Sequence, residues 1–166
     1  MMLFVVYILL FFSLLMVFFQ DCKSREVHIV YFAGILVSSI LFLYNKGILP
    51  SSLIMNLFFL IINLLALGIY MRFKKGTIKG FLNNGVALGD IVFLVVIIPL
   101  FSFLNYALFY IIGMCFSLTI HIVVKKMKLD ERETVPLAGY LSLFLIIILV
   151  LSNVLCISLY DNKIFL

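Results

Sequence analysis

Two acidic residues, Asp21 and Asp90, lie at the edges of long apolar segments. Asp21 follows an apolar run that ends at Phe19, and Asp90 precedes a run that begins at Ile91. Ionisable groups at such places are costly in a membrane and are functional candidates by default. Two carboxylates that approach each other closely share a proton, so that one can act as a base while the other acts as an acid.

This division of labour suits the hydrolysis of a peptide bond. The ionised Asp removes a proton from water as the water attacks the carbonyl carbon, and the protonated Asp donates a hydrogen bond to the carbonyl oxygen. We therefore consider Asp21 and Asp90 candidate catalytic residues, and we expect no metal or cofactor. Taken singly, each could instead cap a helix. Cys22 and His28 form a weaker alternative nucleophile and base, since no third group orients them.

The composition is that of an integral membrane protein. Of the 166 residues, 66% are hydrophobic and only 11% are charged, values far from those of soluble domains. Apolar stretches recur at about the 20 residues that a helix needs to cross a bilayer. We expect one all-α, polytopic domain over residues 1–166 that contacts lipid and binds no nucleic acid. Its three cysteines show no CxxC spacing and predict neither a zinc site nor a disulfide.

The number of helices depends on one long uncharged segment. From Ile91 to Val124 no charged residue occurs for 34 positions, which is about 51 Å of helix and too long for one crossing of a core about 30 Å thick. Pro99, in "PLFSFLN", predicts a break that divides the segment into two helices. The sequence therefore predicts a bundle of six transmembrane helices. They are expected at about 2–19, 27–44, 52–71, 87–100, 104–124 and 137–160.

Basic residues predict the orientation of these helices. Ten of the twelve Lys and Arg residues lie in three loops, which follow the first, third and fifth predicted helices. Because Lys and Arg collect in cytoplasmic loops, both termini should be non-cytoplasmic, and Asp21 and Asp90 should lie at the cytoplasmic face. The ten residues are Lys23, Arg25, Arg72, Lys74, Lys75, Lys79, Lys125, Lys126, Lys128 and Arg132.

Three stretches of the sequence carry a family resemblance. They are "QDCKSREVHIVYF" at 20–32, with Asp followed four residues later by Arg; "ALGDIVFL" at 87–94, close to a Gly-x-Gly-Asp motif; and "ETVPLAGYLSLF" at 133–144, a Pro-containing start of the final helix. Together they resemble the type IV prepilin peptidase and archaeal preflagellin peptidase family of intramembrane aspartic proteases with six helices. Their order, spacing and predicted side of the membrane agree over nearly the whole chain.

The resemblance implies roles for several residues. Asp21 and Asp90 would be the catalytic aspartates, with motif support from Arg25 and Pro136, and Gly89 would let the backbone approach closely beside Asp90. The substrates would be type IV prepilin-like or preflagellin-like proteins, whose basic leader would be cut at the cytoplasmic face. The chain would lie in the plasma (inner) membrane of a prokaryote.

The sequence departs from the family pattern in two respects. Ala87 replaces the first glycine of the motif, and its methyl group restricts positive-φ conformations. The chain also lacks the cysteine-bearing insertion of larger members, which predicts a short form without methyltransferase activity. Three alternatives remain open: a catalytically inactive homologue that binds leaders, a small transporter or assembly subunit that uses the same aspartates for protons or cations, and a presenilin-like protease, for which more than six helices are expected.

Overall fold

The structure is a computed structural model that describes residues 2–46, 51–75, 88–127 and 135–154. All regular secondary structure in these ranges is helical. A 3-10 helix, Ile98–Leu100, lies between the fourth and fifth α-helices. The α-helices are α1 (Met2–Ser24), α2 (Ile29–Lys46), α3 (Ser51–Lys75), α4 (Leu88–Val96), α5 (Phe103–Lys126) and α6 (Leu137–Val154).

The helices have the length and composition of membrane spans. Four of them, α1, α3, α5 and α6, are long and apolar enough to cross a bilayer, whereas α2 and the stretch Leu88–Leu100 are shorter apolar helices. Large apolar side chains cover the outside, among them Phe4, Phe58 and Phe73, and an apolar surface of this extent suits lipid rather than water. The predicted all-helical, multi-pass membrane protein is thus confirmed.

The helix boundaries differ from the prediction at several ends. α1 continues through Asp21 to Ser24 rather than ending near 19, and α3 extends to Lys75. Both predicted ends were placed at the first polar or basic residues, but a helix can carry such residues in its last turn. Residues 155–160, which were predicted to complete the final helix, lie outside the described part of the chain.

The break between α4 and α5 occurs where Pro99 predicts it. The chain leaves the α-helix after Val96 and forms the 3-10 helix with Pro99 in its first turn. Residues 96–102, from the last residue of α4 to the residue before α5, are here named the connector and lie inside the bundle: Leu100 and Phe101 are only 1% and 2% exposed. Non-helical backbone at such depth is tolerated only where the protein itself satisfies its polar groups.

Side chains from three helices satisfy carbonyl groups at this break. Ser39 shares its hydroxyl proton between the carbonyl of Leu36 in its own helix, at 2.9 Å, and the carbonyl of Val96, at 3.0 Å. Asn56 donates to the carbonyl of Phe101 and Tyr106 to that of Leu94, each at 3.0 Å. Since Ser39 belongs to α2, Asn56 to α3 and Tyr106 to α5, these bonds hold three helices around the connector. The sequence can break its helix inside an apolar bundle because other helices supply the missing donors.

Small residues bring the helices close together. A Cβ at Gly34 would collide with the side chain of Ser13, so this glycine lets α2 approach α1. A Cβ at Gly113 would lie 2.7 Å from Cδ2 of Leu141, so that glycine lets α5 approach α6. Small residues serve this purpose generally in membrane bundles. α1 also packs against α6, which places the last turn of α1 beside the start of α6.

Candidate active site

Asp21 lies in the last turn of α1 and faces the start of α6. Asp21 is buried, with only 7% of its surface exposed. The carboxylate oxygen Oδ2 accepts a hydrogen bond of 2.6 Å from the backbone N–H of Gly139. A buried carboxylate needs such partners, because an unpaired charge in apolar surroundings is strongly disfavoured.

Asp90 reaches the same place from α4. It lies in the first turn of that helix, and it is also 7% exposed. Its Oδ1 accepts a hydrogen bond of 2.9 Å from the backbone N–H of Ala138. The structure therefore brings the two acids that the sequence singled out onto consecutive amides of one helix.

The start of α6 has free donors for this purpose because of helix geometry. The first N–H groups of a helix have no acceptor within it. The amide of Tyr140 bonds to the carbonyl of Pro136 at 3.0 Å, and the amides of Ala138 and Gly139 bond to the two carboxylates. Covalent geometry then keeps the two bonded oxygen atoms within about 9 Å of each other. Pro136 is buried and suits the residue that begins a helix.

A close backbone approach occurs at Gly139 rather than at Gly89. A Cβ at Gly139 would lie 3.1 Å from Oδ2 and 3.2 Å from Cβ of Asp21. At Gly89 the nearest described atom to an added Cβ is Cζ of Phe32, at an ordinary 3.8 Å. Among the described atoms the close contact at this site is therefore made at Gly139, and the role of Gly89 stays a prediction.

The link between α1 and α2 has an unusual backbone at Arg25. Its φ is 60°, a left-handed conformation that is uncommon for residues with a side chain. The amide of Arg25 donates to the carbonyl of Asp21 at 3.1 Å, and its guanidinium is close enough to act electrostatically on the Asp21 carboxylate. The amide of His28 donates to Oε1 of Gln20 at 3.0 Å. The positive charge of Arg25 thus acts on the Asp21 carboxylate.

The remaining candidates have less direct roles. Cys22 is half-buried, and its Sγ would lie 3.4 Å from a Cβ at Gly139, whereas the side chain of its suggested partner His28 is exposed. Ala87 lies outside the described residues. Within the described ranges, no three His, Cys, Asp or Glu side chains group as metal ligands would.

Sequence reasoning overlooked Ala138 and Gly139. Both follow Pro136 at the start of the final helix, and the motif reading assigned a site role only to the proline. The usable signal was the pair of small residues two positions after a proline, because small side chains in the first turn of a helix leave its free amides open to another chain segment. Which segment approaches them depends on tertiary packing.

The arrangement provides two carboxylates in an apolar bundle, at the positive end of a helix. That end is equivalent to about half a positive charge, and Arg25 adds one more nearby. Two carboxylates held at one helix start repel each other when both are ionised, which favours a pair that carries one proton. Such a pair contains one group able to accept a proton and one able to donate it.

Comparison of the chain with models of protein families, with curated proteins and with solved structures gave no match.

Proposed function

We propose that this protein is an intramembrane aspartic endopeptidase in which Asp21 and Asp90 activate water. The observation that carries the proposal is their convergence on the consecutive amides of Ala138 and Gly139. The two acids are separated along the chain and lie on different helices, yet they occupy one buried site. General acid and base catalysis needs this combination of proximity and restricted solvent.

Helix capping alone explains the arrangement poorly. A helix start is satisfied by neutral side chains such as Ser, Thr or Asn, which avoid the cost of an acid in an apolar bundle. Here two acids serve one helix start. Elsewhere the same bundle meets its hydrogen-bonding needs with neutral Ser39, Asn56 and Tyr106. A pair of carboxylates is therefore better explained by chemistry than by capping.

The reaction requires one proton on the pair. The ionised aspartate takes a proton from water, and the resulting hydroxide attacks the carbonyl carbon of the substrate peptide. The protonated aspartate donates a hydrogen bond to the carbonyl oxygen, where negative charge develops. Collapse of the tetrahedral intermediate breaks the C–N bond, and the leaving nitrogen takes a proton from the pair.

The substrate follows from the family resemblance. Type IV prepilin-like or preflagellin-like proteins have a basic leader before an apolar helix, and cleavage between the two parts would occur at the membrane boundary. Asp21 in the last turn of α1 and Asp90 in the first turn of α4 suit a cleavage site at the end of a membrane helix. The motif residues Arg25, Gly89 and Pro136 lie within four residues of an aspartate or of the amides that bind it.

We further propose six membrane crossings, with both termini outside and the site at the cytoplasmic face of a prokaryotic plasma membrane. The positive-inside distribution of Lys and Arg supports this orientation. The stretch Leu88–Leu100 is only about 20 Å long. This stretch is the shortest of the six proposed crossings. It can meet α5 at the buried connector because Ser39 and Asn56 donate hydrogen bonds to connector carbonyls.

The test is cleavage of a prepilin-like substrate by the purified protein in lipid vesicles. Wild type should release the leader, while Asp21→Ala and Asp90→Ala should not. Thermal denaturation curves should show that both variants are folded. Gly68→Ala, on α3 with no atom of the described residues within 4 Å of the added Cβ, is the control and should cleave like wild type. Cleavage that persists without either aspartate would refute the proposal.

Accessibility distinguishes a protease from a proton or cation carrier. Single cysteines at positions 21 and 90 should react with impermeant thiol reagents from the cytoplasmic side alone. A carrier needs access from both faces, so labelling of these variants from both sides, combined with absence of cleavage by the wild type, would favour the transport alternative.

A further inference from the structure

We infer that the first turn of α6 positions the two aspartates, and that Gly139 is the positioning residue of this site. The amide of Gly139 binds Oδ2 of Asp21, and the preceding amide of Ala138 binds Oδ1 of Asp90. Consecutive backbone amides have a fixed separation. The same turn therefore sets the position of one carboxylate relative to the other.

Two contacts explain why a glycine occupies position 139. A Cβ there would lie 3.1 Å from Oδ2 and 3.2 Å from Cβ of Asp21, and 3.4 Å from Sγ of Cys22. The first two are tighter than ordinary van der Waals contacts, so Asp21 would have to move by a few tenths of an ångström. The same Oδ2 accepts the hydrogen bond from the Gly139 amide at 2.6 Å, so a shift of Asp21 or of α6 changes both the length of that bond and the position of the carboxylate.

Gly139 differs in its surroundings from Gly113, the glycine of α5 that packs closely against α6. A Cβ at Gly113 would lie 2.7 Å from Cδ2 of Leu141, so it would disturb the packing of α5 on α6 between apolar side chains. Gly139 instead meets the carboxylate. An alanine at either position should strain the α6 interface, but only the alanine at 139 should move an aspartate.

The first readout is independent of catalysis. Protein labelled with nitrogen-15 glycine gives one amide signal for each of its nine glycines, and the signal that Gly139→Ala removes belongs to Gly139. An amide bonded to a carboxylate has a charge-assisted hydrogen bond, which a neutral acceptor weakens. Asp21→Asn should therefore shift the Gly139 amide proton upfield, and Asp90→Asn should shift it less.

The second readout is kinetic and rests on the proposed function. Gly139→Ala should lower kcat for leader cleavage by about tenfold or more and leave KM within about twofold, because misplaced catalytic groups impair the chemical step rather than binding. Gly113→Ala should reduce thermal stability but retain the kcat of the folded protein. This matched control separates positioning from packing.

The outcomes are distinguishable. If Asp21→Asn leaves the Gly139 signal in place, or Gly139→Ala cleaves like Gly113→Ala, the inference is wrong. If the wild type cleaves no leader while the Gly139 signal responds to Asp21→Asn, the proposed peptidase activity fails, and the positioning of the carboxylates by α6 stands.

Discussion

Two regions of this bundle bury polar groups, and they do so in opposite ways. At the connector between α4 and α5, side-chain donors from Ser39 and Asn56 satisfy backbone acceptors. At the start of α6, backbone donors satisfy the side-chain acceptors of Asp21 and Asp90. The first arrangement repairs a broken helix with neutral groups, whereas the second brings ionisable groups into the bundle.

The difference separates a structural need from a chemical one. A carbonyl left open by Pro99 must be satisfied wherever the chain breaks inside a membrane. A helix start makes no comparable demand for acids, since neutral caps serve it equally well. Substitutions at the connector should therefore change stability, while isosteric substitutions of the aspartates should change activity.

The largest effect is expected at Asp90. Asp90→Asn keeps an oxygen for the amide of Ala138, so the free energy of unfolding should change by no more than about 1 kcal/mol. Because it cannot transfer the proton, kcat should fall by about 10²- to 10⁴-fold. Asp90→Leu should lose the same activity and also about 1–3 kcal/mol of stability, since the amide loses its acceptor. Cleavage rates measure kcat, and unfolding curves in detergent measure the free energy of unfolding. Equal stability of the two variants would contradict the account.

A smaller effect, on stability alone, is expected at Ser39. Ser39→Ala removes the donor to the carbonyl of Val96 and should lower the free energy of unfolding by about 1–2 kcal/mol, with unchanged kcat for the folded protein. Ser152→Ala is the matched control, because among the described residues the Ser152 hydroxyl bonds within its own helix, to the carbonyl of Leu149. It should cost less than about 0.5 kcal/mol. A loss of kcat in Ser39→Ala would contradict the distinction between a structural connector and a catalytic site at the start of α6.

The smallest effect is expected at Tyr106. Tyr106→Phe removes the hydroxyl that donates to the carbonyl of Leu94 but keeps the ring contacts with Phe59 and Phe101. The expected change is about 0.6 kcal/mol in the free energy of unfolding, again without effect on kcat. A change above about 2 kcal/mol would mean that the hydroxyl, rather than ring packing, holds α5 to α4.

Local sequence signals predicted the helices better than they predicted the site. The helical break is encoded near Pro99, because an uncharged segment of that length cannot cross once, and the structure breaks there. The burial of the connector depends on Ser39 and Asn56, which are distant along the chain. No local pattern reveals that these side chains meet its carbonyls.

The acids themselves were recognisable because an ionisable residue beside an apolar run is rare. Their common partner was not. The contacts from Asp21 to Gly139 and from Asp90 to Ala138 span 118 and 48 residues, and they require α1, α4 and α6 to be packed. The motif resemblance drew attention to Gly89, but the structure shows a close contact with Asp21 at Gly139. The spacing of residues along the chain cannot show which glycine another helix approaches.

The central claim is that Asp21 and Asp90 act as one catalytic unit. A double-mutant cycle on the initial rate of leader cleavage tests it most directly, with wild type, Asp21→Asn, Asp90→Asn and the double variant measured in the same lipid. Residues that act as a unit are strongly non-additive, so each single variant should fall to about the rate of the double variant. Independent, multiplying losses, or near-normal cleavage by either single variant, would contradict the claim.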